Sequence, residues 1–309
     1  MRHVNPQLLV TLWHVARCGS LAAAAREIGW SQPAISQQIR KLQDECGCAL
    51  LKRTSHGVQL TPAGQLLAKH GEMIANRVLQ AEQELDEYRR GNARRLHVLA
   101  PPSICSTILA RTLVKIGQTS DITVRLTQME PPEAVRSLIA GGGDCALVFR
   151  YDALSRAPLA NDDCTVEYCG KDPLRLLVPR NSEVGRQYER DGEPVDLSRL
   201  ADQRWIAGCE TCRANLMSMA RSAGFVPVIT HSTEDTWVTQ NLVEMGQGVS
   251  IVSELSIHNA LQGDLAACPI ADGNAYRTIG MVTRKGDERP ELQRLREAIR
   301  QTTRRFLMA

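Results

Sequence analysis

Aromatic residues are scarce in this 309-residue chain: three Phe, five Tyr and four Trp make 4% of it, so its cores must be aliphatic. No apolar run approaches the roughly 20 residues that a membrane-spanning helix needs. No secretory leader is evident either, since Arg2-His3-Val4-Asn5 leads straight into an amphipathic pattern. These absences predict a cytoplasmic protein with no membrane partner, in which the ten cysteines are thiols and not a disulfide frame. Catalytic signatures are missing too: there is no Gly-x-Ser-x-Gly, no Walker loop and no His-Glu-x-x-His, and the seven histidines are scattered. No paired Cys/His spacing suggests zinc. The expectation is a protein that is not an enzyme, with neither cofactor nor metal. Repeats and low-complexity tracts are absent, and the length suits two or three domains.

Charge is nearly balanced at +3 but unevenly spread. Residues 1–60 carry +4, from Arg2, Arg17, Arg26, Arg40, Lys41, Lys52 and Arg53 against Glu27, Asp44 and Glu45, leaving the remainder near −1. A basic head on a neutral body points to a polyanion at one end.

Within that head, residues 20–47 read SLAAAAREIGWSQPAISQQIRKLQDECG. Ser20 can cap a first helix rich in alanine, Gly29 suits its left-handed end, Ser31 can cap a second helix, and Pro33 fits that helix's first turn. On the second helix Ile35, Ile39, Leu42 and Cys46 form one apolar stripe. The opposite face offers Ser31, Gln32, Pro33, Ser36, Gln37, Arg40 and Lys41, a set of amides, hydroxyls and cations suited to base edges and phosphates. The alternative is an ordinary polar surface helix. A first helix over 6–17 would buttress the pair through Leu8, Leu9, Leu12, Trp13 and Ala16, and residues 49–60 read as a β-hairpin, or wing, presenting Lys52, Arg53 and His56 to backbone phosphate.

Ser-Leu-x-x-Ala-Ala at 20–25, Ser-Gln-Pro-Ala-Ile-Ser at 31–36, Gln38-Ile39, Leu42, Gly47 and Arg53 resemble the N-terminal domain of LysR-type transcriptional regulators, and Leu60-Thr61-Pro62-Ala63-Gly64 looks like that family's entry into its linker helix. The likeness continues more weakly to about Phe306. Departures are mild: Trp13 stands for Phe, Gln37 for Arg, Gln43 for Glu and Leu51 for Phe.

Thr61 and Pro62 can start one helix of about 28 residues, with Leu66, Leu67, His70, Ile74, Val78, Leu85 and Tyr88 recurring near a 3.5-residue period. Such a stripe predicts a second copy of the helix as partner, with Leu67, Ile74 and Val78 between the two, or else packing on the chain's own C-terminal body. After the charged boundary at 89–95, strands at 96–100, 122–128 and 145–149 alternate with helices from Ser103 and Pro132. A second set follows, with strands at 174–178, 205–208, 226–231 and 249–252 and helices near 212–223 and 236–246. A strand at 276–283 and a helix over 291–306 return to the first set. The fold class expected is α/β: a winged helix-turn-helix at 1–61, a linker helix at 62–91, and a two-lobed, periplasmic-binding-protein-like (type 2) effector domain at 92–309. Lobe I would take about 92–163 and 268–309, and lobe II about 164–267.

In such a domain ligands sit where strands end and helices begin. That places Ser103 and Ile104, Gln128 and Arg150 on one side of a cleft and Thr211 and Thr236 on the other. Ser103 reads equally as a plain helix cap, and Arg150 as half of a structural ion pair. The resemblance implies a Ser or Thr near Ser103 touching the effector, here expected to be a small carboxylate. It also implies double-stranded promoter DNA as partner, self-association as a dimer and as a tetramer built from two dimers, and RNA polymerase as a further partner. Cys46, Cys48, Cys105, Cys145 and Cys268 read as small hydrophobes. Cys209-Glu210-Thr211-Cys212 stands apart as a C-x-x-C at a helix start. It leaves open a thiol-responsive regulator and a cysteine-based redox enzyme, beside a stand-alone small-molecule binding protein. The basic head has a use only in a regulator.

Overall fold

The first three helices begin where the sequence supplies a side-chain cap. The computed structural model describes residues 4–54, 57–89, 95–152, 154, 159–160, 163–258 and 261–308. In it the side chains of Asn5, Ser20 and Ser31 accept from the N–H groups of Gln7, Ala23 and Ala34. They open α1 (Pro6–Cys18), α2 (Leu21–Ile28) and α3 (Gln32–Cys46), and each helix ends on a left-handed glycine. The chain divides into two compact units, residues 1–93 with 139–142, and residues 94–138 with 143–309.

In the first unit Leu8, Leu12, Val15, Ala24, Ala25, Ile35, Ile39, Leu42 and Leu50 form the core. Each large aliphatic side chain buried there contributes about 1.5–3 kcal/mol. Polar ties set the helices against one another. Thr11 Oγ1 donates to Gln38 Oε1 at 2.7 Å, and Gln43 Oε1 accepts from Leu50 N at 2.9 Å, fixing the exit from α3. Glu27 of α2 gathers His14 at 2.5 Å, Cys18 at 3.1 Å and Arg17, all on α1 or at its end. Hydrogen bonds from Cys18, His14 and Arg17, in that order, pull the Glu27 carboxyl down to about 2. Cys46 packs against the core as expected, whereas Cys48 is exposed beyond the glycine that ends α3 and is no core residue.

The hairpin is β1 (Leu51–Thr54) against β2 (Gly57–Leu60), antiparallel with Leu51 opposite Leu60. Thr61 Oγ1 donates to Ala49 O at 2.8 Å and accepts from Gly64 N at 3.0 Å, so it both closes the wing and caps α4 (Pro62–Arg89). α4 lies against α1 so closely that a Cβ on Gly71 would stand 2.1 Å from the Leu9 carbonyl oxygen. This contact qualifies one expectation: Leu67 and Ile74 are partly buried against the core of their own unit and are not left wholly for a second helix. The apolar residues α4 leaves exposed are Leu66, Val78, Leu79 and Leu85, each at least half accessible. The side chain of Tyr88 lies outside the described residues.

The second unit is built on β3 (Arg95–Ala100), α5 (Pro102–Ile104), α6 (Ala110–Thr119), β4 (Thr123–Gln128), α7 (Pro131–Ile139), β5 (Cys145–Arg150), β6 (Cys164–Pro179), α8 (Glu183–Asp191), β7 (Arg204–Ala207), α9 (Glu210–Ser222), β8 (Val228–Ser232), α10 (Thr236–Glu244), β9 (Val249–Ser253), α11 (Glu254–Ile257), β10 (Leu265–Pro269), β11 (Tyr276–Arg284) and α12 (Pro290–Thr303). Strand order is β4-β3-β5-β11-β6-β9-β7-β8, with β10 also on β6. β3 pairs parallel with β4 and β5, and β7 parallel with β8 and β9, as the alternating pattern predicts. β11 and β6 run antiparallel to their neighbours, so the sheet is mixed and not parallel throughout.

The sixteen-residue β6 was expected only at 174–178. Its first part pairs with β11 and its second with β9 and β10, so one strand serves both lobes. Its register with β11 shifts beside Gly170 (φ +137°), where a Cβ would meet Met308 O at 2.6 Å. Polar residues such as Glu167, Lys171 and Asp172 interrupt the apolar pattern there, which hid the strand. α8, α11 and β10 were also unexpected. α12 returns to the first lobe and buries Leu292, Leu295 and Ile299.

Gly71→Ala should lower stability by about 1–3 kcal/mol, because the methyl must push α4 off the α1 backbone. Urea unfolding followed by circular dichroism reads this directly; an unchanged midpoint would show that the helices part without cost.

Candidate functional sites: the α3 face and the interlobe cleft

α3 presents two faces. Ile35, Ile39 and Leu42 are buried, and Gln38 turns in to bond Thr11. Ser31, Gln32, Pro33, Gln37, Arg40 and Lys41 are exposed and Ser36 is half-buried beside them. Lys41 lies 3.9 Å from Glu45, a loose surface pair that leaves its charge available to solvent. One surface therefore gathers the amides and cations that the sequence placed together. Of the hairpin residues, Lys52 is exposed at its base, while the Arg53 side chain and His56 lie outside the described residues.

The second unit buries a charge that the sequence did not advertise. Arg277 of β11 sits opposite Asp172 of β6 in the strand register, and both are buried, at 4% and 0% exposure. Arg277 Nε donates to Asp172 Oδ2 at 2.8 Å, and its Nη2 donates to Ser103 Oγ at 2.7 Å. The guanidinium lies over the Phe149 ring, 4.3 Å from its centroid. Asp172 accepts a second bond from Leu255 N at 3.1 Å, which ties α11 to the pair. Burial works against the charge on Arg277, but Asp172, Tyr151 and Cys212 outweigh it and raise its affinity for the proton.

Ser103 is thus no helix cap. The cap position falls on Pro101, no side chain satisfies it, and a π-helical turn at Cys105–Leu109 carries α5 into α6. Ile104 is fully buried and can offer a ligand only its backbone. Gln128 is exposed at the end of β4, in register with Ala100. Arg150 donates through Nε to Asp152 Oδ1 at 2.8 Å, and Asp152 Oδ2 accepts from Thr278 Oγ1 at 3.0 Å, the structural ion pair that was one of its two expected roles.

Across the cleft, Cys209 and not Thr211 is the cap of α9, and Thr211 is half-buried in its first turn. Thr236 opens α10, with Asp235 as cap. Cys209 Sγ donates to Cys212 Sγ at 2.9 Å, and Tyr151 Oη, at the end of β5, donates to the same sulfur at 3.4 Å. Hydrogen bonding from Cys209, then from Tyr151, with the charge of Arg277, holds the Cys212 thiol below the ordinary range although burial opposes them. Glu130 faces this group. Burial, followed by repulsion from Glu234, raises its carboxyl, with Arg277 and a bond from Cys209 pulling the other way. Ser103 and the start of α9 are therefore linked through Arg277, Tyr151 and Cys212. Thr236 lies at the start of α10, Gln128 at the end of β4, and Arg150 in its pair with Asp152.

Sequence reasoning missed Arg277, Asp172, Tyr151 and Glu130. An arginine near the start of one core strand and an acid within another was the available signal, but only the register sets them side by side. Among the described residues no cluster of three or more His, Cys, Asp or Glu could hold a metal ion, and no single helix is long and apolar enough to cross a membrane.

Residues 6–65 match the bacterial regulatory helix-turn-helix protein profile of the lysR family, and residues 89–304 match the LysR substrate binding domain. The chain is 26% identical over 279 residues to the DNA-binding transcriptional dual regulator OxyR of Escherichia coli K12, covering 87% of this chain and 86% of that one. It is 26% identical over 301 residues to the transcriptional regulator TcbR of Pseudomonas sp. strain P51, covering 93% and 95%. The structure resembles that of CbnR, a LysR family transcriptional regulator, with TM-score 0.66 and 24% identity over 97% of this chain and 99% of that one. CbnR in complex with its target DNA gives the same score over 96% of this chain.

Asp172→Ala should cost about 3–5 kcal/mol by stranding a buried guanidinium, and Asp172→Leu combined with Arg277→Met should cost much less than the two single changes together. A double-mutant cycle in denaturant measures the coupling. Additive losses would mean that the pair does not act as a unit.

Proposed function

The chain belongs to the LysR family of bacterial transcriptional regulators, and from that premise we propose that α3 reads its promoter through Gln32, Pro33, Ser36 and Gln37. Ser31, Arg40, Lys41, Arg53 and His56 would bond the backbone and fix the register without reading sequence. The observation that carries this reading is the exposed amide and cation face of α3, set opposite a stripe that is wholly buried. An amide such as Gln32 can bond adenine through two hydrogen bonds, worth about 1–3 kcal/mol of discrimination. No catalytic role is assigned to the chain, and its place of action is the cytoplasm.

Promoter binding is modulated by a small-molecule effector in the interlobe cleft. We infer that the effector meets Ser103 and Thr211 from opposite lobes and competes for the Arg277 donor that Ser103 now holds. A carboxylate effector would share Arg277 with Asp172. Gln128, Arg150 and Thr236 would line the outer parts of the same cleft. Self-association through α4 is supported by the exposure of Leu66, Val78, Leu79 and Leu85, since an apolar line on a 28-residue helix needs cover. The domain division follows the same reading, with 1–61 for DNA, 62–91 for pairing and 92–309 for the effector.

Gln32→Ala is expected to weaken operator binding by about 5- to 150-fold while leaving nonspecific DNA affinity almost unchanged. Fluorescence anisotropy with operator and scrambled duplexes at one salt concentration distinguishes the cases; an equal loss on both would remove Gln32 from base reading. Small carboxylates and their amide analogues should be screened by thermal shift on the full chain. Ser103→Ala is expected to abolish the shift of any hit while keeping the fold and DNA affinity, and a preserved shift would take Ser103 out of the effector site.

A further inference from the structure

Two thiols meet at the start of α9. The Cys209 sulfur accepts from the Cys212 N–H at 3.4 Å, and its own S–H is directed at the Cys212 sulfur 2.9 Å away. Tyr151 Oη approaches that second sulfur at 3.4 Å, and the buried Arg277 guanidinium favours negative charge on it. Both sulfurs are half-buried, neither sealed in the core nor fully in solvent. Cys209 lines an open recess of about 490 Å³ together with Gly208, Arg213, Thr233 and Glu234. A Cβ on Gly208 would lie 3.0 Å from Cys212 Cβ, so the missing side chain leaves that approach uncovered. Cys105, Cys145 and Cys268 differ sharply: all three are buried, and burial pushes their thiols up, to about 11 for Cys105 and Cys268.

We propose that Cys209 and Cys212 are a redox-active dithiol, closed to an intramolecular disulfide by exchange with a low-molecular-weight disulfide, and that its closure resets the effector cleft. In the first step the Cys212 thiolate attacks one sulfur of the small disulfide. A bond forms from Cys212 to that sulfur, the small S–S bond breaks, and one thiolate leaves. That thiolate takes the Cys209 proton. The Cys209 sulfur then attacks the Cys212 sulfur, forming the protein disulfide and expelling the second small thiolate. Two protein sulfurs are oxidised and one small disulfide is reduced.

Closure changes the cleft in two ways. The sulfurs contract from 2.9 Å to about 2.0 Å, drawing Cys212 from its present place. The negative charge that Tyr151 and Arg277 face also disappears, and Arg277 is the group that holds Ser103. The consequence for DNA rests on the regulator reading given above; formation of the disulfide does not.

The test uses full-length protein equilibrated at pH 7 in mixtures of 2-mercaptoethanol and bis(2-hydroxyethyl) disulfide, acid-quenched, alkylated with iodoacetamide and cut with trypsin. Cleavage after Arg204 and Arg213 leaves both cysteines on one peptide, 205–213. The expected result is that this peptide becomes unalkylated and about 2 Da lighter at ratios where Cys105, Cys145 and Cys268 remain fully alkylated. Cys209→Ser should instead trap a mercaptoethanol adduct on Cys212. A 205–213 peptide that stays doubly alkylated, or stays a mixed disulfide at every ratio in the wild type, overturns the dithiol. Operator affinity of the oxidised and reduced forms should differ by at least about fivefold. Equal affinities overturn the coupling to the cleft. Failure of both forms to bind DNA would overturn the regulator reading and leave the peptide result standing.

Discussion

A guanidinium removed from water must be compensated on the spot, and the interior of the effector domain is arranged around meeting that demand at Arg277. Asp172 supplies the opposite charge, Ser103 an acceptor, Phe149 a ring face, and Tyr151 and Cys212 further negative character nearby. These partners come from β6, α5, the end of β5 and the start of α9, so one side chain refers both lobes to a common point. Asp172 carries the network on to α11 through Leu255 N. Buried ion pairs of this kind add little net stability, since desolvation cancels much of the attraction, but breaking one is costly. The pair thus specifies an arrangement more than it strengthens the fold. A molecule or a modification that alters any partner of Arg277 acts on all of them.

The basic unit solves a different problem with a small hydrophobic core. Its three short helices could not stand alone, being at or below the length at which isolated helices persist in water. Caps at Asn5, Ser20, Ser31 and Thr61 satisfy the first N–H groups, and cross-links from Thr11 to Gln38 and from Gln43 to Leu50 fix how the helices meet. Beyond the Ser31 cap, the outer face of α3 has little structural duty, because Ile35, Ile39, Leu42, Gln38 and Gln43 carry the packing and the cross-links. That division of labour leaves a polar face that can vary without disturbing the core.

α4 shows how the same helix is shared between two tasks. Gly71 lets it approach α1 at backbone distance, so Leu67 and Ile74 close the core of their own unit. The apolar line left over has shifted to Leu66, Val78, Leu79 and Leu85. A heptad pattern records that a helix has an apolar stripe but not how many partners divide it.

The helix-turn-helix was legible from residue order because its determinants are local: caps, a turn glycine and a stripe at helical period lie within 28 residues. The alternation of strands and helices in the second unit was legible for the same reason, as was the C-x-x-C at the start of α9. What residue order could not carry were relations between distant segments. Asp172 and Arg277 are 105 positions apart and become neighbours only through the β6–β11 register. Ser103 reads as a cap until that register delivers a guanidinium to its hydroxyl. The long β6 was hidden because a strand that serves two lobes changes its neighbours midway and loses a uniform apolar period. Local chemistry therefore determined the elements and the polar face of α3, whereas tertiary structure decided which charges meet in the interior, because burial and electrostatic compensation depend on what lies across the sheet and not on what lies next in the chain.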